Sequence, residues 1–434
     1  MQILDWQALN PAARRTVLAR PAPEARAAIA ATVAAIVAKV RAAGDAALLS
    51  YTQQFDGVAL AELFTTPAEF ARARESLGKE QHTALERAIA NVSRFHAAQQ
   101  LAPLSLETEP GVICERITRP IDAVGLYVPA GSAPLPSAVI MLAVPARLAG
   151  VTRRIIASPP GRDGDINSAV LVAAELCGID TVLKVGGAQA IAALAYGTES
   201  VAKVDKILGP GNAWVTAAKQ LVASDPAGAA IDMPAGPSEV LVIADETARA
   251  EFVAADLLAQ AEHDPLSQAI LLTTSGELAR QVAMAIARQI TTLSRQQILR
   301  QSIANSRCLV VPNLATALSI SNDYAPEHLI LATVRPRELL AAVRNAGSVF
   351  LGTWSPEPLG DYCSGTNHVL PTFGYARAHS GVSLDEFQKR ITVQELTPDG
   401  LRSLGPTAAT LARLEGLDAH ASAVDLRLAA LGAA

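Results

Sequence analysis

Short apolar runs alternating with amphipathic helical patterns dominate this chain from Val124 onward. VGLYV leads through PAGSAPLP to a helical pattern near Ser137 to Gly150. RRIIASPP precedes NSAVLVAAELCG, TVLKVGG precedes AQAIAALAYG, and VDKILGPG precedes NAWVTAAKQLV. Strand–helix units at crossover spacing predict a parallel sheet with helices on both faces. After the turn-rich SDPAGAAIDMPAGPSE the alternation resumes, from EVLVIAD through QAILLTT, RCLVVPN and HLILAT to SVFLGTW. Two such series predict two related α/β domains, although no repeated motif links them.

Upstream, ARAAIAATVAAIVAKVRAAG and EQHTALERAIANVSRFHAAQQ read as amphipathic helices, with Gly44 and Asp45 as a stop and restart. Past about Ser380 the strands fade. EFQKRITVQELT leads into helical TAATLARLEG and DAHASAVDLRLAALG. That tail is too small to bury a core of its own, so it must dock on the body or on a partner subunit.

Composition narrows the class. At 434 residues the chain exceeds one small core. Half of it is hydrophobic and the mean hydropathy is +0.26. Yet the most lipid-like run, SAVIMLAVPARLAG, meets Pro145 and Arg147 well before the roughly 20 apolar residues of a membrane span. No signal peptide is visible in MQILDWQALNPAARR. The net charge of -5 and the lack of a Lys/Arg block argue against nucleic acid. Cys114, Cys177, Cys308 and Cys363 are isolated, which suits a reducing cytoplasm better than a disulfide framework.

Candidate chemistry is concentrated late in the sequence. Of seven histidines, five follow residue 260. AQAEHDP places Gln260 and His263 on one face of a helix that Asp264 and Pro265 should end, where the dipole favours a cation. A solvated helix cap explains the same spacing. YAPEHLI sets Glu327 beside His328 after a proline. The pair suits proton relay near neutrality, or a salt-bridged turn. Serving one site requires a bend, because successive strand residues face opposite ways. Asp361 lies in PLGDYCSGTNHVLPT, a polar loop of the kind that carries binding groups. Nothing adjacent activates Cys363, so it reads as inert. Gly416 should break the last helical region between Glu415 and His420, with Asp418 as cap. KILGPGN has G-x-G spacing at Gly209 and Gly211, but Trp214 occupies the third glycine position. A βα turn that needs two glycines for its backbone angles explains it, and a phosphate could still use the free N–H groups at that helix start, with Asn212 as cap. VGGAQ forms a similar turn at Gln189.

Together, VGLYVPAGSAPLPS, KVGGAQAIAALAYGT, KILGPGNAWVTAAK, IDMPAGPSEVLVIAD, DLLAQAEHDP, NDYAPEHLI, GDYCSGTNHVLPT and LEGLDAH resemble the histidinol dehydrogenase family, in order and over nearly the whole chain. The resemblance implies oxidation of L-histidinol to L-histidine through L-histidinaldehyde, with one zinc ion per site and two NAD+ consumed. It implies zinc ligands Gln260, His263, Asp361 and His420, and an acid–base pair of Glu327 and His328. Ser238, His328, His368 and Glu415 would hold substrate together with the ligands, and Tyr127, Gln189 and Asn212 would contact NAD+. It further implies a cytoplasmic homodimer whose sites are completed across subunits. Ala130, Trp214 and Phe373 depart from the family pattern, the first two near the expected cofactor region.

The expected architecture is α/β, with two Rossmann-like parallel-sheet domains carrying helices on both faces. A helical arm would span 1–24, a discontinuous first domain 25–128 and 238–380, and a second domain with the NAD+ contacts 129–237. A mainly helical dimerisation tail would span 381–434. Competing readings are a zinc- and NAD-dependent dehydrogenase of another amino or sulfonated alcohol, and a catalytically silent α/β binding protein.

Overall fold

The computed structural model describes residues 1–20, 26–130, 133–234 and 236–432; the Gly131–Ser132 step of PAGSAPLP and residues 21–24 of the expected arm lie outside them. Two compact units are present: 1–99 with 122–387, and 100–121 with 388–434.

The larger unit holds both parallel sheets. One is six-stranded, ordered Gln2–Asp5, Arg307–Val310, Gln268–Thr273, Glu239–Ala244, His328–Ala332 and Ser348–Leu351. The other is five-stranded, ordered Val182–Leu183, Arg153–Ala157, Ala123–Tyr127, Lys206–Leu208 and Ala230–Ile231. Central strands such as Glu239–Ala244 and Gln268–Thr273 are buried along their whole length. Helical cover on both faces accounts for that continuous apolar reading.

Several elements differ from expectation. Gln2–Asp5, placed in a helical arm, is an edge strand parallel to Arg307–Val310. Trp6, Val17 and Leu18 then pack on one face of the six-stranded sheet. The long helix Arg26–Phe55 packs instead on the helices covering the five-stranded sheet, where Val33, Ile36, Val40 and Leu48 share a core with Ile191 and Leu194 of helix Gly187–Tyr196. Its predicted interruption is real: Gly44 leaves helical geometry at φ 50°. A side chain there would collide with Glu199, whose Oε2 accepts the Asp45 N–H at 2.8 Å.

Each sheet has a topological switch, where successive crossovers leave in opposite directions and a crevice opens at the strand C-termini. In the five-stranded sheet it lies between Ala123–Tyr127 and Lys206–Leu208. In the six-stranded sheet it lies between Glu239–Ala244 and His328–Ala332, and there Asp245 links the two strand ends. Asp245 Oδ1 accepts the Thr247 N–H at 3.0 Å and Oδ2 accepts the Val334 N–H at 2.9 Å.

In the smaller unit Val112–Pro120 pairs antiparallel with both Leu104–Glu109 and Gln388–Leu396. The helices Pro398–Leu414 and Asp418–Gly432 pack on one another, with Val424 and Leu428 against Gly405. Leu411, Leu414 and Leu426 remain more than half exposed. Among the described residues no helix is long and apolar enough to cross a membrane.

Candidate active site

The six-stranded sheet presents its chemistry at the N-terminal ends of two neighbouring strands. Helix Leu314–Tyr324 ends at Ala325, which takes the left-handed conformation at φ 54° immediately before Pro326. The chain leaves that corner through Glu327 and starts the next strand at His328, so both side chains reach one place. Glu327 Oε2 lies 3.7 Å from His328 Nδ1. Glu239, first residue of the adjoining strand, ties down both: its N–H donates to Glu327 Oε2 at 2.8 Å, and its carbonyl faces His328 Nδ1 at 3.2 Å. An Nδ1–H donating to that carbonyl leaves Nε2 facing Asp361 and Glu357.

Nε2 of His328 is 3.4 Å from Asp361 Oδ1 and 3.9 Å from Glu357 Oε1. Asp361, expected in an irregular loop, lies on the short helix Glu357–Tyr362, one turn after Glu357. Gln260 is in the last turn of helix Ala250–Ala261 and His263 follows just beyond, its N–H donating to the Gln260 carbonyl at 3.3 Å. The charge of Asp361 acts on both His263 and His368, placing these rings in the same surroundings.

Electrostatics here are extreme. Burial pushes Glu327 up to about 8 against the attraction of His328. Burial alone would lower His328, but the carboxylates of Glu327, Asp361 and Glu357 raise it to about 10. Burial works against ionisation of Asp361 too, yet His328 holds it well below the usual carboxylate range, while burial lifts Glu357 far above. His263 and His368 are pushed down by burial, which favours neutral imidazoles able to donate a lone pair.

Gln260 Oε1, His328 Nε2, Glu357 Oε1, Asp361 Oδ1 and His368 Nε2 are buried and make no hydrogen bond. So many buried polar atoms without partners among the candidate residues are costly unless a ligand or ion completes them. One donor atom each from His328, Glu357 and Asp361 lies within 4.8 Å of the other two, a spacing that can hold a metal, and of the three only Asp361 belongs to the expected ligand set. Nitrogen and oxygen donors of this kind fit zinc. Sequence reasoning missed Glu357 and Glu239. The signal for Glu357 was its place four residues before Asp361 behind Pro356; Glu239 touches the pair through its backbone and left none.

Ser238 is half-buried beside Glu239, and its carbonyl accepts the Gln268 N–H at 3.1 Å. Glu415 and His420 belong to the smaller unit and are exposed there. Gly416, at φ 71°, separates their two helices as the sequence indicated.

The expected cofactor residues gather at the C-terminal edge of the five-stranded sheet. Tyr127 ends the central strand, and its hydroxyl accepts the Gly187 N–H at 3.0 Å. Burial pushes that phenol up to about 12. Gln189 is buried and folds back over Gly187. Asn212 caps helix Ala213–Ala223, accepting from the Trp214 and Val215 N–H groups at 3.0 and 3.1 Å. Gly209 is at φ 125°, and a Cβ there would stand 2.2 Å from the Tyr127 carbonyl. Asp232 accepts the Gly209 N–H at 2.8 Å while Lys219 donates to its carbonyl at 2.9 Å, so a buried ion pair clamps the turn.

The family model described as histidinol dehydrogenase matches residues 19–428. A histidinol dehydrogenase of Vibrio vulnificus (strain CMCP6) is 54% identical over 433 residues, covering all of both chains. One from Vibrio cholerae serotype O1 is 55% identical over 428 residues, covering 99% of this chain and 98% of its own. The crystal structure of histidinol dehydrogenase from Elizabethkingia anophelis superposes with a TM-score of 0.95 at 44% identity, covering 100% of this chain and 99% of the other.

Proposed function

The chain belongs to the histidinol dehydrogenase family of NAD-dependent oxidoreductases, enzymes of histidine biosynthesis, and from that premise we propose how its residues divide the work. The substrate is L-histidinol, oxidised through L-histidinaldehyde to L-histidine with two NAD+ reduced. The observation that carries this reading is the buried Glu327–His328 pair bordered by orphaned acceptors.

Gln260, His263 and Asp361, joined by His420, would hold the zinc ion. When bound, zinc supplies a fixed anchor for the substrate's imidazole and amine, and its charge offsets the field of Asp361. His368, Ser238 and Glu415 would complete the substrate contacts. NAD+ supplies the hydride acceptor, held by Tyr127, Gln189 and Asn212 at the open switch of the five-stranded sheet.

His328, in the neutral form that the uncompensated carboxylates of Glu327, Asp361 and Glu357 disfavour, takes the hydroxyl proton at Nε2 as hydride leaves the carbinol carbon. Glu327 then removes a proton from the water that adds to the aldehyde, and the resulting hydrate loses the second hydride. The balance is histidinol, water and two NAD+ to histidine, two NADH and protons. A carboxyl raised toward neutrality is a stronger base when ionised than an ordinary glutamate. The exposed Glu415 and His420 would reach the site of a partner subunit, which makes the homodimer the catalytic species in the cytoplasm.

The test is NADH formation from histidinol with and without a chelator. Two NADH per histidinol, lost on chelation and restored by zinc, is expected; one NADH, or indifference to the chelator, overturns the reading. E327Q should slow aldehyde oxidation far more than it weakens histidinol binding.

A further inference from the structure

We propose that Arg20, from the segment between the edge strand Gln2–Asp5 and the long helix Arg26–Phe55, is a positioning residue for the acid–base pair, acting through Glu239. This rests on the roles given above to Glu327 and His328. Arg20 Nε donates to Glu239 Oε1 at 2.5 Å and Nη2 donates to Oε2 at 2.9 Å. The same Nη2 reaches the carbonyls of Tyr324 at 2.8 Å and Ala325 at 3.4 Å. The guanidinium carbon also lies 3.9 Å over the Tyr324 ring.

One planar cation therefore grips both segments that present the pair. Glu239 is the residue whose N–H and carbonyl touch Glu327 and His328. Tyr324 and Ala325 form the corner from which Glu327 departs. The Glu239 carboxylate has a further duty, with Oε1 accepting the Phe373 N–H at 3.0 Å. Phe373 sits at φ 56°, a strained value for a bulky residue, so this bond holds a corner as well. The arm is itself secured, because Gln268 donates to the Ala19 carbonyl at 3.2 Å and accepts from the Tyr324 hydroxyl at 2.6 Å. Neutralising Glu239 alone would need only a charge; bidentate pairing plus two carbonyl contacts fixes geometry.

The experiment is a double-mutant cycle in the zinc-loaded full-length enzyme, following histidinaldehyde oxidation. Removing Arg20 alone strands a buried carboxylate, so R20M is paired with R20M/E239Q, which takes that charge away. Both are expected to lose about 100-fold in kcat, the scale of a small misplacement, with histidinol KM and zinc content unchanged. R20K, which keeps the charge without the fork, should lose about 10-fold. R20M/E327Q should be no slower than E327Q, because the two lesions share one route. A wild-type rate in R20M/E239Q, or additive losses in R20M/E327Q, overturns the inference alone. A full aldehyde rate in E327Q overturns the acid–base reading and this inference together.

Discussion

Glu357 and Asp361 lie one turn apart on a six-residue helix, and both carboxyls face Nε2 of His328, at 3.9 and 3.4 Å. Burial pushes the Glu357 carboxyl well above its ordinary range while His328 holds Asp361 below it. Glu357 can therefore donate to Asp361 and fix that carboxylate's orientation. Replacing it by Leu should weaken zinc binding about 10- to 100-fold, as losses of supporting partners do, whereas Gln retains a donor and should stay near wild type. Competition with a chelator measures both.

Subunit mixing tests whether the exposed tail completes a neighbouring site. E327Q and H420N should each be nearly inactive alone. Refolded together in equal amounts, they should regain about a quarter of wild-type sites, because a mixed pair places both lesions in one site and none in the other. No recovery, with mixed dimers demonstrated, removes His420 from a shared site.

The Gly209 turn gives a prediction specific to NAD+. K219M frees the turn's carbonyl, and G209A forces a Cβ against the Tyr127 carbonyl. Each should raise the KM for NAD+ by about 10-fold or more while leaving histidinol affinity unchanged, since misplaced binding groups cost on that scale. A matching change in histidinol affinity would show general damage instead.

Glu69 supplies a pH-dependent contribution to stability away from the site. Burial would raise its carboxyl, but the Thr66 N–H and the Lys184 ammonium, 2.9 Å away, hold it down to about 2, against 4.5 when free. A depressed folded value stabilises above 4.5 and is lost as pH falls through about 2. The contribution is at most about 3 kcal/mol. The stability difference between wild type and E69Q in urea should therefore be full near neutrality and shrink as pH falls through the interval between those two values.

Much of the fold was legible because buried parallel strands advertise themselves as unbroken apolar runs, as EVLVIAD and QAILLTT do. Gln2–Asp5 was hidden because a four-residue edge strand carries too little pattern. Leu104–Glu109 is exposed throughout, so no burial period marks it. At the site, the Gln260–His263 spacing and the adjacent Glu327–His328 were readable as residue types. Arg20 was not, because 219 residues separate it from Glu239 and only folding makes them partners. Asp361 was read as lying in a loop because Pro, Gly and Ser around it outweigh the single turn that Pro356 and Glu357 begin.

The two switches have a kinetic corollary. By spending its oxygens on Thr247 and Val334, Asp245 laces together the two strand ends at the switch of the six-stranded sheet. The nucleotide contacts proposed above fall at the five-stranded sheet. Under the proposed reaction, spent NADH must vacate it and fresh NAD+ arrive while the half-oxidised intermediate stays bound. Exchange of the coenzyme, timed against escape of a reactive aldehyde, becomes the step on which fidelity depends.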